Sequence, residues 1–221
     1  MSTFAPFTQN AHPILFDGTA AVDPGAVRTD WTVMLPRLNA SGLMLRELEE
    51  HDADSLMSML TTDEVARFIS PPPTSAKGFE KFIQLVHSER RAGRQFTFGI
   101  VPDGSDHAVG LVQVRAIAPR FSVGEWGFAL GSRFWGTGLF LASARMTLDF
   151  AFGEARVKRL EARAIVQNGR GNGALRKLGA VHQGILRGSL VKDGRPFDQM
   201  VWSIASQDWL QAKVVWSSVL H

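Results

Sequence analysis

The stretch SVGEWGFALGSRFWGTGLFLASARMTLDFAF, residues 122–152, decides the fold. Its first third alternates: Trp126, Phe128 and Leu130 fall on one side and Val123, Glu125, Gly127 and Ala129 on the other, the two-residue period of a strand. Its last part, LFLASARMTLDFAF, is a helical run that Gly153 can stop. Between them lies RFWGTG, Arg133 to Gly138. A strand that runs into a helix through glycines leaves the first helical N–H groups without internal partners, and these groups with the helix dipole favour a phosphate or pyrophosphate. Glycine lets such a ligand approach the backbone. A P-loop needs Gly-Lys-Ser/Thr, but Leu139 follows Gly138. A dinucleotide fingerprint needs a third Gly or Ala in a βαβ unit, and here Leu139, Phe140 and Leu141 follow strands that read as antiparallel.

Outward from this stretch the chain is regular. LMLRELEE alternates as a strand, HDADSLMSML is a helix with Leu56, Met57 and Leu60 on one side, and Phe79, Phe82, Ile83 and Val86 mark the buried face of a second helix after the Pro71-Pro72-Pro73 break. QFTFGIV and AVGLVQVRAI, separated by the turn PDGSD, join SVGEWGFAL in an antiparallel meander. After the 139–152 helix come the strand RLEARAIV, the glycine-interrupted helix NGRGNGALRKLG, and the strands HQGILRGSLV and FDQMVWSIA joined through Lys192-Asp193-Gly194-Arg195. The order β, α, α, β, β, β, α, β, α, β, β predicts one mixed sheet with helices packed on it. Residues 1–41, with Pro6, Pro13, Pro24 and Pro36 and no sustained period, read as an irregular arm, 42–206 as the folded domain and 207–221 as a tail.

Composition narrows the chemistry. The 221 residues are 45% hydrophobic and 20% charged, which suits a globular domain. With no cysteine there is no disulfide, thiol nucleophile or thiolate-ligated metal, and no metal site is expected. No tyrosine is present, which removes a common proton donor. The N-terminus lacks a basic segment followed by a long apolar run, and no stretch of about 18 apolar residues occurs, so a cytoplasmic, unanchored protein without membrane partners is expected. The net charge of +3 is mild and scattered, giving no reason to expect nucleic acid. Hydrophobic strand ends are compatible with a homodimer.

The six residues Arg133-Phe134-Trp135-Gly136-Thr137-Gly138 fit an acyl-CoA turn: Arg or Gln, two residues, Gly, one residue, then Gly or Ala. Asn168 after the next strand, a helix ending Lys177-Leu178-Gly179-Ala180, and the C-terminal set Gln183-Gly184, Arg187, Asp193-Gly194, Asp198 and Val201-Trp202-Ser203-Ile204 extend the match. Over roughly residues 43–206 the chain resembles the GNAT superfamily of N-acetyltransferases, in particular the branch typified by ribosomal-protein N-terminal acetyltransferases and spermidine acetyltransferases. The resemblance implies an α/β fold, α+β in its mixed sheet: a central, mostly antiparallel sheet splayed at the acyl-CoA cleft beside the strand ending at Leu130, with helices on both faces. It implies acetyl-CoA (coenzyme A) as cofactor, its pantetheine beside Phe128, Ala129 and Leu130 and its pyrophosphate on the N–H groups of Trp135, Gly136, Thr137, Gly138 and Leu139, with Arg133 adding charge. Asn168 is expected at the cofactor, with Asn172 one turn on beside it, although each can also cap the helix.

The implied reaction is acetyl transfer from acetyl-CoA to a primary amine, either a protein N-terminus or a small-molecule amine. It needs a neutral nitrogen, a donor to the oxyanion and an exit for the thiolate. An alkylammonium with a pKa near about 10 must be deprotonated locally, whereas a peptide α-amine near about 8 is already partly neutral. Glu125 is the candidate catalytic base, acting directly or through water. A strand N–H near Ala129 or Leu130 is the candidate oxyanion donor, and His182 reads as structural or exposed. Two positions depart from the ribosomal-protein branch: Gly171 stands where a serine is expected three residues after Asn168, and Gln183 where a glutamate is expected. These departures keep an alternative open, an acyl-CoA-binding module with little or no transferase activity.

Overall fold

The period-two stretches of the sequence pair into one sheet. In the computed structural model, which describes residues 30–211, the strands are β1 (Leu38–Ala40), β2 (Leu43–Glu47), β3 (Gln95–Pro102), β4 (Gly110–Ala116), β5 (Val123–Leu130), β6 (Arg159–Ile165), β7 (Val181–Lys192) and β8 (Arg195–Ala205). Their order across the sheet is β1-β2-β3-β4-β5-β6-β8-β7. Neighbours run antiparallel, as expected of the β3-β4-β5 meander, except for the parallel pair β5 and β6.

Helices α1 (Ala53–Leu60), α2 (Asp63–Ala66), α3 (Ala76–Arg91), α4 (Leu139–Gly153) and α5 (Gly169–Lys177) cover both faces. The 3.6-residue spacing read in α3 is its buried face: Phe79, Phe82, Ile83 and Val86 pack with Leu56 and Leu60 of α1 onto Val101, Leu111 and Ala129 of the sheet. On the other face Ala144, Leu148 and Ala151 of α4 and Leu175 of α5 meet Phe96, Phe98, Val114, Trp126, Leu160 and Trp202. Phe150 stands edge-on to Phe96 and Phe98, with ring centroids 5.0 and 5.2 Å apart. The turn into α1 is held by a buried ion pair, in which Arg46 donates two hydrogen bonds to Asp52 at 2.7 and 2.9 Å while the Asp52 carboxylate also accepts from the N–H groups of Glu49 and Ala108.

Three local features differ from the sequence reading. Residues 38–40, expected in the irregular arm, form the edge strand β1 in register with β2; three residues are too few for alternation to reveal. The single turn α2 also escaped the pattern, for the same reason. Residues 206–211 are helical, and Trp209, placed by sequence in a tail, is buried with its indole N–H donating to Asp149 of α4 at 2.7 Å. The rest of the expected arm, 1–29, and the end of the expected tail, 212–221, lie outside the described residues.

Candidate active site

The parallel pair opens into a cleft. β5 and β6 are in register only at Val123–Glu125 against Arg159–Glu161, while β5 stays paired with β4 as far as Leu130 and β6 with β8 as far as Ile165. Beyond Glu125 the β6-facing edge of β5 therefore has no ladder partner. The Gly131 N–H donates to Val109 O just before β4, and backbone direction alternates along an antiparallel strand, so the backbone groups of Ala129 also face β4. Those of Phe128 and Leu130 face the cleft. Ala129, expected beside the cofactor, has its backbone turned to β4 and its side chain buried against α1 and α3. Phe128 and Leu130 keep their expected positions on the cleft wall, and the Leu130 carbonyl accepts the indole N–H of Trp135 at 2.9 Å.

Next comes the glycine turn. Gly136 and Gly138 have φ of 78° and 89°, a region that a residue with a Cβ adopts only under strain, and a Cβ added at either would meet no protein atom within 4 Å. The space over both glycines is thus open. Gly138 is the N-cap of α4 and supplies no side-chain cap; the first intrahelical bond runs from Ala142 N–H to Gly138 O, leaving the N–H groups of Phe140 and Leu141 ahead of it. Thr137 donates its hydroxyl to Phe134 O at 2.8 Å and accepts a long 3.4 Å bond from the Leu139 N–H. Arg133 is exposed on the turn with its guanidinium over the Phe134 ring.

At the apex, where β5 and β6 still touch, sits Glu125. It is 2% exposed, and its two oxygens are ion-paired with Arg115 Nη2 of β4 at 3.0 Å and Arg163 Nε of β6 at 3.4 Å. Arg115 is its direct cross-strand partner and Glu161, itself paired with Arg159, its neighbour on β6. Sequence reasoning missed both arginines. Arg115 could have been found by registering the meander, since both residues lie on the same face; Arg163 comes from a strand 38 positions away and had no local signal.

The opposite wall is the β6–α5 junction. Asn168 is the N-cap of α5 and its Oδ1 accepts the Gly171 N–H at 2.8 Å. At Gly171 an added Cβ would lie 2.6 Å from the Asn168 side-chain nitrogen, so a larger residue there requires that amide to shift. Asn172, expected beside the cofactor, is engaged within the fold. It is 5% exposed, its Nδ2 donates to the carbonyls of Ile165 and Asn168 at 3.0 Å each, and its Oδ1 accepts the Trp202 indole N–H at 2.9 Å. Both N–H donors of that amide and one acceptor direction of its oxygen are used to pin α5 to β6 and β8. His182 is exposed with its ring against Trp202.

The β7–β8 hairpin also reaches α2: Lys192, at its tip, donates to the carbonyls of Ala66 at the end of α2 and of Ile69 just beyond it, at 3.3 Å for the latter. Burial pushes the Lys192 ammonium below its usual pKa, with the nearby Asp193 carboxylate opposing. The loops around 68–74 and 193–197 thus form one rim. A separate cavity of about 490 Å³ lined by Arg37, Leu38, Met146 and Asp149 lies toward the other end of α4 and takes no part in the cleft.

An open strand edge, two left-handed glycines with free space above them and an uncapped helix start together fit an acyl-CoA: a polar arm to lie along the edge and a diphosphate to meet N–H groups. The family model of the acetyltransferase (GNAT) domain matches residues 42–181. The chain belongs to this family. As a GNAT enzyme it transfers an acetyl group from acetyl-CoA to an amine. Among curated proteins it is similar to the uncharacterized N-acetyltransferase YoaA of Bacillus subtilis (24% identical over 177 residues, 77% of this chain and 97% of that one) and to the uncharacterized N-acetyltransferase p20 of Bacillus licheniformis (25% over 168 residues, 76% and 94%). Among solved structures, RimJ of Mycobacterium smegmatis in complex with CoA-disulfide shares the fold with a TM-score of 0.71 at 21% identity, covering 82% of this chain and 91% of that one. Ribosomal-protein-S5-alanine acetyltransferase of Vibrio fischeri does so at 0.70 and 20%, covering 79% and 98%. No helix among the described residues is long and apolar enough to cross a membrane.

Proposed function

We propose that the acceptor is an α-amine, the N-terminus of a protein or peptide, in preference to an alkylamine. The observation that carries this is Glu125 held between Arg115 and Arg163 and 2% exposed. A general base must come within hydrogen-bond reach of the proton it removes. The candidate carboxylate has both oxygens engaged and little surface, His182 lies against Trp202, and the chain has no tyrosine. Such a site suits an amine with a substantial neutral fraction, and an α-amine near pKa about 8 has one at physiological pH where an alkylamine near about 10 does not. The fold shared with ribosomal-protein acetyltransferases points the same way.

In this reading acetyl-CoA supplies an activated thioester. The cleft-facing edge of β5 at Phe128 and Leu130 holds its arm, and the Leu130 or Phe128 N–H is placed to donate to the acyl oxygen. The turn from Trp135 to Leu139, the first N–H groups of α4 and the Arg133 charge hold the diphosphate, with Asn168 on the facing wall. Glu125 is a positioning residue that fixes Arg115 and Arg163 where the walls join. The experiment is Glu125→Gln, assayed for turnover, CoA affinity and pH dependence with a panel of N-terminal peptides and alkylamines. Turnover within about tenfold of wild type, with peptide rates levelling above pH about 8, is expected. A loss of about 10²–10⁴, the contribution of a general base, in a folded variant that still binds CoA makes Glu125 the base and removes the argument for an α-amine.

A further inference from the structure

Trp135 and Arg170 stand on opposite walls of the cleft yet touch. Trp135 follows β5 in the glycine turn, Arg170 is the second residue of α5 after β6, and these strands separate beyond Glu125, so their contact spans the mouth. The Arg170 guanidinium carbon lies 4.6 Å from the Trp135 ring centroid. Trp135 is a fixed platform, its indole N–H bonded to Leu130 O and its ring packed against the cores on both sheet faces. Arg170 rests on that platform. It is exposed and has no carboxylate partner among the described residues.

Its position is also electrostatically wrong for the helix that carries it. A cation in the first turn faces the positive end of the helix dipole, where an anion is favoured. Here the open start of α4, the start of α5, Arg133 and Arg170 all bring positive potential to one mouth. Resting on a tryptophan face satisfies a guanidinium only weakly, and a planar fork of N–H donors matches phosphate oxygens far better.

We propose that Arg170 is a binding residue for the cofactor diphosphate, held on Trp135 until ligand arrives and then closing on the phosphate from the wall opposite the glycine turn. This rests on the acyl-CoA reading of the cleft and adds to it a contact from the β6 side. The test measures CoA and dephospho-CoA binding by calorimetry, and pantetheine binding by displacement of CoA, for wild type, Arg170→Ala and Arg170→Lys. The expected result is a loss of about tenfold or more for CoA and dephospho-CoA alike in Arg170→Ala, a smaller loss in Arg170→Lys, and unchanged pantetheine binding. A loss for CoA alone assigns Arg170 to the ribose 3′-phosphate and overturns the diphosphate assignment. Equal losses for all three ligands reveal a structural role and overturn it too, as does unchanged CoA binding. Wild type that binds no CoA refutes the cleft reading itself, an outcome separate from any difference between variants.

Discussion

Substituting Gly138 by alanine separates two reasons for a glycine at the start of α4. At φ 89° an alanine is strained by roughly 1–2 kcal/mol, and the reduced freedom of its unfolded chain returns about 0.4–1 kcal/mol. The added Cβ meets no protein atom within 4 Å, so no clash adds to this. The net loss of stability is therefore about 1 kcal/mol, or a melting point lower by a few degrees for a domain of this size. Gly104, in the β3–β4 turn, is the matched control: its φ is 76° and its Cβ direction is equally empty, but it is remote from the cleft. Gly104→Ala and Gly138→Ala should lose similar stability in urea unfolding. Only Gly138→Ala places a methyl where a phosphate must approach the backbone, and its CoA affinity by calorimetry should fall at least about tenfold, or about 1.4 kcal/mol. If both variants bind CoA within about twofold of wild type, Gly138 serves the chain's turn alone and the phosphate argument is wrong.

Two further outcomes follow from the buried polar groups. Asn172→Ala takes from the Trp202 indole N–H its acceptor and leaves the Ile165 carbonyl only the Asn168 N–H, and should destabilise by about 1–3 kcal/mol while changing CoA affinity less than about threefold; a large affinity loss at unchanged stability would return Asn172 to the cofactor site. Burial pushes the Asp52 carboxyl up, but Arg46 and the Glu49 and Ala108 N–H groups outweigh it and hold it below 3.8. Its folded pKa is depressed, so its stabilisation is complete above the unfolded value and is lost as pH falls through the folded one. Stability measured from pH about 6 downward should therefore drop more steeply below 3.8 for wild type than for Asp52→Asn, and the two slopes being equal would exclude this carboxylate as a source of acid sensitivity.

Apart from β1, α2 and the 206–211 helix, the sequence by itself determined the elements and their order. Alternation in SVGEWGFAL and the i, i+3, i+4, i+7 spacing of Phe79, Phe82, Ile83 and Val86 are local consequences of backbone geometry, so each names its own element and its own buried face. RFWGTG was legible for the same reason: left-handed glycines and an uncapped helix start are properties of consecutive residues. What joins residues distant along the chain was not written locally. Nothing near Glu125 announces Arg163, nothing near Asn172 announces the Trp202 indole, and nothing in the 192–195 turn announces that Lys192 reaches Ala66. Strand polarity settled Ala129 in the same way, because which edge of β5 its amide faces depends on the register with β4. Tertiary structure alone decided these points, since desolvation and partner choice depend on what the sheet brings alongside a side chain. Those partners turn a carboxylate read as a base into the centre of an ion-paired cluster, and an asparagine read as a ligand into a pin.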